Sequence, residues 1–194
     1  MISALQEQLR IPSKEGAPVP DAPFGPECRR ALDLALDLAR NAGFETMDLD
    51  GYAGHAEFGE GAEVVMALGH LDVVPEGDGW KHDPYGAVIE DGYIYARGAA
   101  DDKGPAYAAF YAARALKECG VALSRRIRVV FGCNEESGFR CAKHYFSHQE
   151  QPTYGFVPDA EWPLVYAEKG IGNLKLTKDI PASNGLRVVS AWGS

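Results

Sequence analysis

Histidine and carboxylates recur in four short runs of this chain, in residue types and spacings that suit metal-assisted hydrolysis. The first run, GHLDVVP at residues 69–75, sets His70 and Asp72 two apart. Residues two apart in a strand share a face, so the carboxylate can hold the imidazole in the orientation a cation needs. The second, GAADDKGP at residues 98–105, presents Asp101 and Asp102 just before a helix. One Asp at such a place commonly caps exposed N–H groups, which leaves the other free for a cation. The third, NEESGF at residues 134–139, sets Glu135 beside Glu136. Neighbours on an extended backbone point in opposite directions. One can then face a metal while the other reaches a water or substrate, the division of labour that two-metal hydrolysis requires. The fourth, PDAEWP at residues 158–163, adds Asp159 and Glu161.

Each run alone also fits a plainer reading: a strand-end histidine, a helix cap, a solvated acidic loop. Their shared position changes the balance, because each is expected at or just after the C-terminal end of a strand or hairpin. Open α/β sheets build their sites there. Two other patterns argue less. Residues 46–57 (TMDLDGYAGHAE) partly match a calcium loop, but the first position is Thr and a strand is expected to follow. His144 and His148 lie one helical turn apart without the carboxylate of an H-E-x-x-H motif, so an exposed helix face is the reading.

The elements that must position these runs can be read from periodicity. A Pro- and Gly-rich connection covers residues 12–26, after the end of an amphipathic helix. Helices are expected at 27–42, closed by Gly43, at 103–118, ending near Gly120, and around 138–147. Strands are expected at 44–49, 54–58, 63–71, 125–134, 154–157, 163–167 and 171–176, with a last candidate in LRVVSAW. Residues 86–97 read as a hairpin turning at Asp91-Gly92. Strands alternating with helices imply an α/β domain with a mixed central sheet and helices on both faces.

With 194 residues, 46% of them hydrophobic, the chain suits one domain with a short appendage. Its net charge of -9 argues against a nucleic-acid partner, since phosphate binding relies on Lys and Arg. Four scattered cysteines imply reduced thiols rather than a disulfide scaffold. No apolar run approaches the roughly 18 residues of a membrane span, and the N-terminus lacks a signal-peptide core. A cytoplasmic protein without a membrane partner is expected.

In order and spacing, GHLDVVP, GAADDKGP, NEESGF and PDAEWP resemble the motifs of the co-catalytic zinc peptidases, which include carnosinase-like dipeptidases, aminoacylases and desuccinylases. GDGWKHDPYGAVIEDGYIYARGAADDKGP and VYAEKGI are similar to the bacterial dipeptidase V type within that superfamily. The resemblance covers nearly the whole chain to about Leu176. It implies that His70 and Asp159 bind one metal, that Asp101 bridges two, and that Glu136 binds the second. It further implies that Asp72 orients His70, that Glu135 is the general base acting on a metal-bridged water, and that the Asp101–Asp102 peptide bond is cis. The implied cofactors are two divalent ions, zinc first, with manganese or cobalt also suited to these ligands. The implied substrate is a small peptide, with acyl-amino acids, or metal binding without catalysis, as alternatives.

The superfamily carries one more metal-binding His late in its sequence and a lid domain after the equivalent of VYAEKGI. All five histidines here precede Asp159. The resemblance therefore implies a catalytic domain over residues 1–176, a stub of the lid over 177–194, an incomplete second metal site, and little activity from this chain alone.

Overall fold

The computed structural model describes residues 1–161 together with 165–167, 169–170, 172 and 177. Helix α1 (Ile2–Leu9) and the irregular segment after it lead into α2 (Pro26–Asn41). Pro26 at its start, Glu27 in the first turn and Arg40 in the last all suit the helix ends they occupy. Next come β1 (Glu45–Leu49), β2 (Ala53–Phe58) and β3 (Val64–His70). The short hairpin of β4 (Val88–Glu90) and β5 (Tyr93–Tyr95) turns at Asp91-Gly92. Helix α3 (Lys103–Glu118), β6 (Arg126–Gly132), α4 (Arg140–His148) and β7 (Tyr154–Phe156) complete the order. The strands expected at 163–167, 171–176 and in LRVVSAW fall mostly or wholly outside the described residues, as does the boundary at 176/177.

Five strands form one mixed sheet in the order β1-β2-β6-β3-β7. The β1–β2 and β2–β6 pairs are antiparallel, while β3 runs parallel to both β6 and β7. Register places Gly54, Phe131 and Gly69 side by side on one face. Leu36 of α2 lies against Gly54 and Ala106 of α3 against Gly69, while Phe110 of α3 meets Phe131 at 6.2 Å between ring centroids. On the other face Cys141 of α4 covers Gly132, and Tyr145 meets His55 edge-on. The chain is thus an α/β fold with helices on both faces of a mixed sheet. The core holds Leu9, Leu32, Leu36, Phe110, Val130 and Phe131, all buried; each such side chain contributes roughly 1.5–3 kcal/mol relative to exposure.

Because β3, β6 and β7 are parallel, their C-terminal ends share one edge of the sheet. The runs beginning at Gly69, Asn134 and Pro158 all leave from that edge, and the fourth links the hairpin to α3. The cysteines are free thiols. No helix among the described residues is long and apolar enough to cross a membrane.

Candidate metal centre

His70 ends β3 and is buried. Its Nδ1 lies 3.0 Å from the Asp72 carbonyl oxygen and 3.4 Å from the Asp72 carboxylate. That leaves Nε2 to face outward, 3.0 Å from Asp101 Oδ1, 3.3 Å from Asp159 Oδ2 and 3.9 Å from Glu135 Oε2. Burial acts to lower the pKa of His70. The Asp72 hydrogen bond and the charges of Asp72, Asp102 and Asp159 outweigh it and raise the value to about 10.

Asp72 does more than face the imidazole. It is 1% exposed, and its carboxylate accepts the backbone N–H of Glu135 at 3.0 Å and of Glu136 at 3.1 Å. Glu135 and Glu136 stand on a turn after β6, not on the extended backbone expected from sequence. What separates their two side chains is therefore the turn and its anchor on Asp72, not strand alternation. Burial raises the carboxyl pKa of both above the ordinary value, with the positive charge of His70 opposing.

The Asp101–Asp102 peptide bond is cis. Asp102 occupies the residue before α3, yet its side chain makes no cap hydrogen bond, contrary to the cap expected there. Its Oδ2 instead accepts the His70 backbone N–H at 3.0 Å, tying the helix start to β3. Its Oδ1 is buried without a partner among the described residues. Burial raises the Asp102 pKa to about 7. Gly69 leaves room for this contact, and Gly104 for the backbone leading into α3. A Cβ at Gly69 would lie 2.7 Å from Asp102 Oδ2, and one at Gly104 would strike the Ala99 carbonyl.

Two donor groups follow among the described residues. His70, Asp101 and Glu136 each offer a ligand atom, all within 4.8 Å of one another, and so do His70, Asp102 and Asp159. One imidazole among carboxylates is a donor set that zinc, manganese or cobalt accepts. The imidazole's other nitrogen is already held, as in known metal sites. The residues present therefore fit a divalent ion. All six sequence-derived residues, His70, Asp72, Asp101, Glu135, Glu136 and Asp159, converge on this edge. Asp102 enters the second donor group as well, so neither aspartate of the pair is spent as a helix cap.

The plainer patterns stay apart. Residues 46–57 form the β1–β2 hairpin, with Asp48 accepting the Gly51 N–H and pairing with Arg29, so the calcium-loop match has no structural basis. His144 pairs with Asp50 at 2.9 Å and stacks on Tyr52, on α4.

A family model described as peptidase family M20/M25/M40 matches residues 66–173, over half the chain. A Bacillus subtilis protein described as "Putative dipeptidase YtjP" is 51% identical over 173 residues, covering 88% of this chain and 37% of that protein. The chain thus spans about a third of the length of the curated relatives it matches. Among solved structures, human carnosine dipeptidase 1 is 28% identical with a TM-score of 0.68, over 83% of this chain and 38% of that one. The M20 family metallo-carboxypeptidase Sso-CP2 of Sulfolobus solfataricus is 26% identical with a TM-score of 0.60, over 71% and 31% respectively.

Proposed function

The chain belongs to peptidase family M20/M25/M40, and from that premise we propose that it carries the metal-binding and proton-transferring residues of a dipeptide hydrolase. The observation that carries this reading is the aim of His70 Nε2 at Asp101 and Asp159 while Nδ1 is held by Asp72. In the proposed arrangement His70, Asp101 and Asp159 would hold one divalent ion, and Asp101 and Glu136 would hold a second. Ions held there supply Lewis-acid polarisation of an amide carbonyl and make water easier to deprotonate.

Glu135 is the base. Its carboxylate lies beside the ligand cluster without belonging to either donor group, so it stands free to accept a proton from a water held there. It takes a proton from the attacking water and passes one to the leaving amine. Asp72 fixes the His70 ring and, through two backbone N–H groups, the turn that carries Glu135 and Glu136.

Among the described residues this arrangement would give three protein ligands to the first ion and two to the second, so the first would be held more tightly. The test uses zinc-loaded chain in excess over substrate, with dipeptides and N-acyl-amino acids followed by mass spectrometry. Dipeptides are cleaved, and Glu135→Gln lowers the rate by at least about 100-fold with metal content unchanged. Undiminished cleavage by that variant would remove Glu135 as the base. Cleavage of acyl-amino acids alone would replace dipeptides with that substrate class.

A further inference from the structure

Residues 11–15 supply no metal ligand, yet they reach three of the four motif-bearing segments. The buried Lys103, next to the Asp101–Asp102 pair, donates from Nζ to the carbonyl oxygens of Gln8 at 3.0 Å and Ile11 at 2.7 Å. Lys14 pairs with Glu76 at 2.7 Å. Glu15 pairs with Arg140, and Arg140 donates through Nε to Asn134 Oδ1 at 3.0 Å, at the head of the Glu135–Glu136 turn. The tightest tie lies at the centre. Ser13, 0% exposed, donates its hydroxyl to the Leu71 carbonyl at 2.5 Å, and its own carbonyl accepts the Val73 N–H at 3.1 Å.

Those two bonds bracket Asp72, one on the residue before it and one on the residue after. We infer that Ser13 is a positioning residue for the metal centre, acting through Asp72. With its backbone clamped on both sides, Asp72 keeps its carboxylate where it meets the Glu135 and Glu136 N–H groups and the His70 ring together. Without the hydroxyl, the Leu71 carbonyl loses a buried donor and the 71–73 backbone gains freedom to rotate. The Asp72 carboxylate then drifts, and imidazole and turn lose their common anchor. Cys28 Sγ, 3.3 Å from the Ser13 carbonyl, supports the same segment from α2.

The inference rests on the metal-centre reading, and its test separates the two. Ser13→Ala, Ser13→Cys and His70→Ala are compared with Tyr145→Phe, which removes a buried hydroxyl that meets His55 and touches no residue of the centre. Cobalt binding is followed by its visible absorption, and amide exchange at Glu135 and Glu136 is measured without metal. Ser13→Ala weakens cobalt binding by roughly 10- to 100-fold, as loss of an outer-shell partner does, shifts the absorption band and speeds exchange of both amides. Ser13→Cys, retaining a weak donor of similar size, recovers part of each effect and serves alone should Ser13→Ala fail to fold. Tyr145→Phe loses stability yet binds cobalt as the unaltered chain does. Unchanged cobalt affinity and exchange in the Ser13 variants, or equal weakening by Tyr145→Phe, would overturn the role of Ser13. Cobalt binding that survives His70→Ala would instead sink the metal reading, while amide exchange still decides the Ser13 clamp.

Discussion

Replacing Asp72 with Asn tests the account at its most connected residue, because the change keeps shape and removes charge. The native carboxylate accepts two backbone N–H groups and lies 3.4 Å from His70 Nδ1. An amide keeps one acceptor oxygen and turns an NH2 donor toward the other buried N–H. Loss of one hydrogen bond to a charged acceptor costs about 1.5–3 kcal/mol, and the stranded N–H costs about 1–3 kcal/mol. Part of this is offset by relief of repulsion among neighbouring carboxylates, so a net destabilisation of about 3 kcal/mol is expected in metal-free chain. The same change withdraws the group that orients the imidazole, which weakens metal binding by roughly 10- to 100-fold. Urea unfolding of metal-free protein and calorimetric titration with zinc measure the two effects separately. If Asp72→Asn unfolds with the same midpoint and binds zinc with the same affinity, Asp72 does not organise this centre.

Two further outcomes follow from the geometry. His55 is 5% exposed, with Tyr145 Oη 2.8 Å from its Nδ1. Burial, with Arg128 adding to it, lowers its pKa from 6.5 to about 4. The unfolded chain then takes up this proton before the folded one. The His55 contribution is complete above about pH 6.5 and is lost as pH falls through about 4, an effect of about 3 kcal/mol. His55→Gln should lack that part of the acid loss when unfolding midpoints are compared at pH 7 and pH 4; parallel losses would refute it. Secondly, zinc at 100 times its dissociation constant should stabilise the chain by about 2.7 kcal/mol, and a chelator should reverse the shift in thermal midpoint. His70→Ala should abolish the shift, and its persistence would place the binding elsewhere.

Most elements were legible because their periodic signals are local. Helix α3 occupies the residues its pattern indicates, Lys103–Glu118, and the Asp91-Gly92 turn marks the β4–β5 hairpin. The convergence of the four runs was legible too, since parallel strands bring their C-terminal ends to one edge. Less visible were contacts made across long stretches of chain. Ser13 lies in a Pro- and Gly-rich connection with no period, and its hydroxyl bonds a residue 58 positions away. Lys103 reads as an ordinary first-turn lysine, yet it is fully buried on the carbonyl oxygens of Gln8, in the last turn of α1, and Ile11, just beyond it. Glu135 and Glu136 follow an apolar strand so closely that sequence carries them on as extended backbone; the Asp72 carboxylate instead gathers their N–H groups into a turn. Asp102 looks like a helix cap because its position is right, while its side chain is drawn to the His70 N–H.

Anomalous diffraction from zinc-loaded crystals of this chain tests the central claim most directly. The account predicts a strong peak about 2.0–2.2 Å from His70 Nε2 and from carboxylate oxygens of Asp101 and Asp159. A peak at His144, His148 and Asp50 instead, with none beside His70, would contradict it.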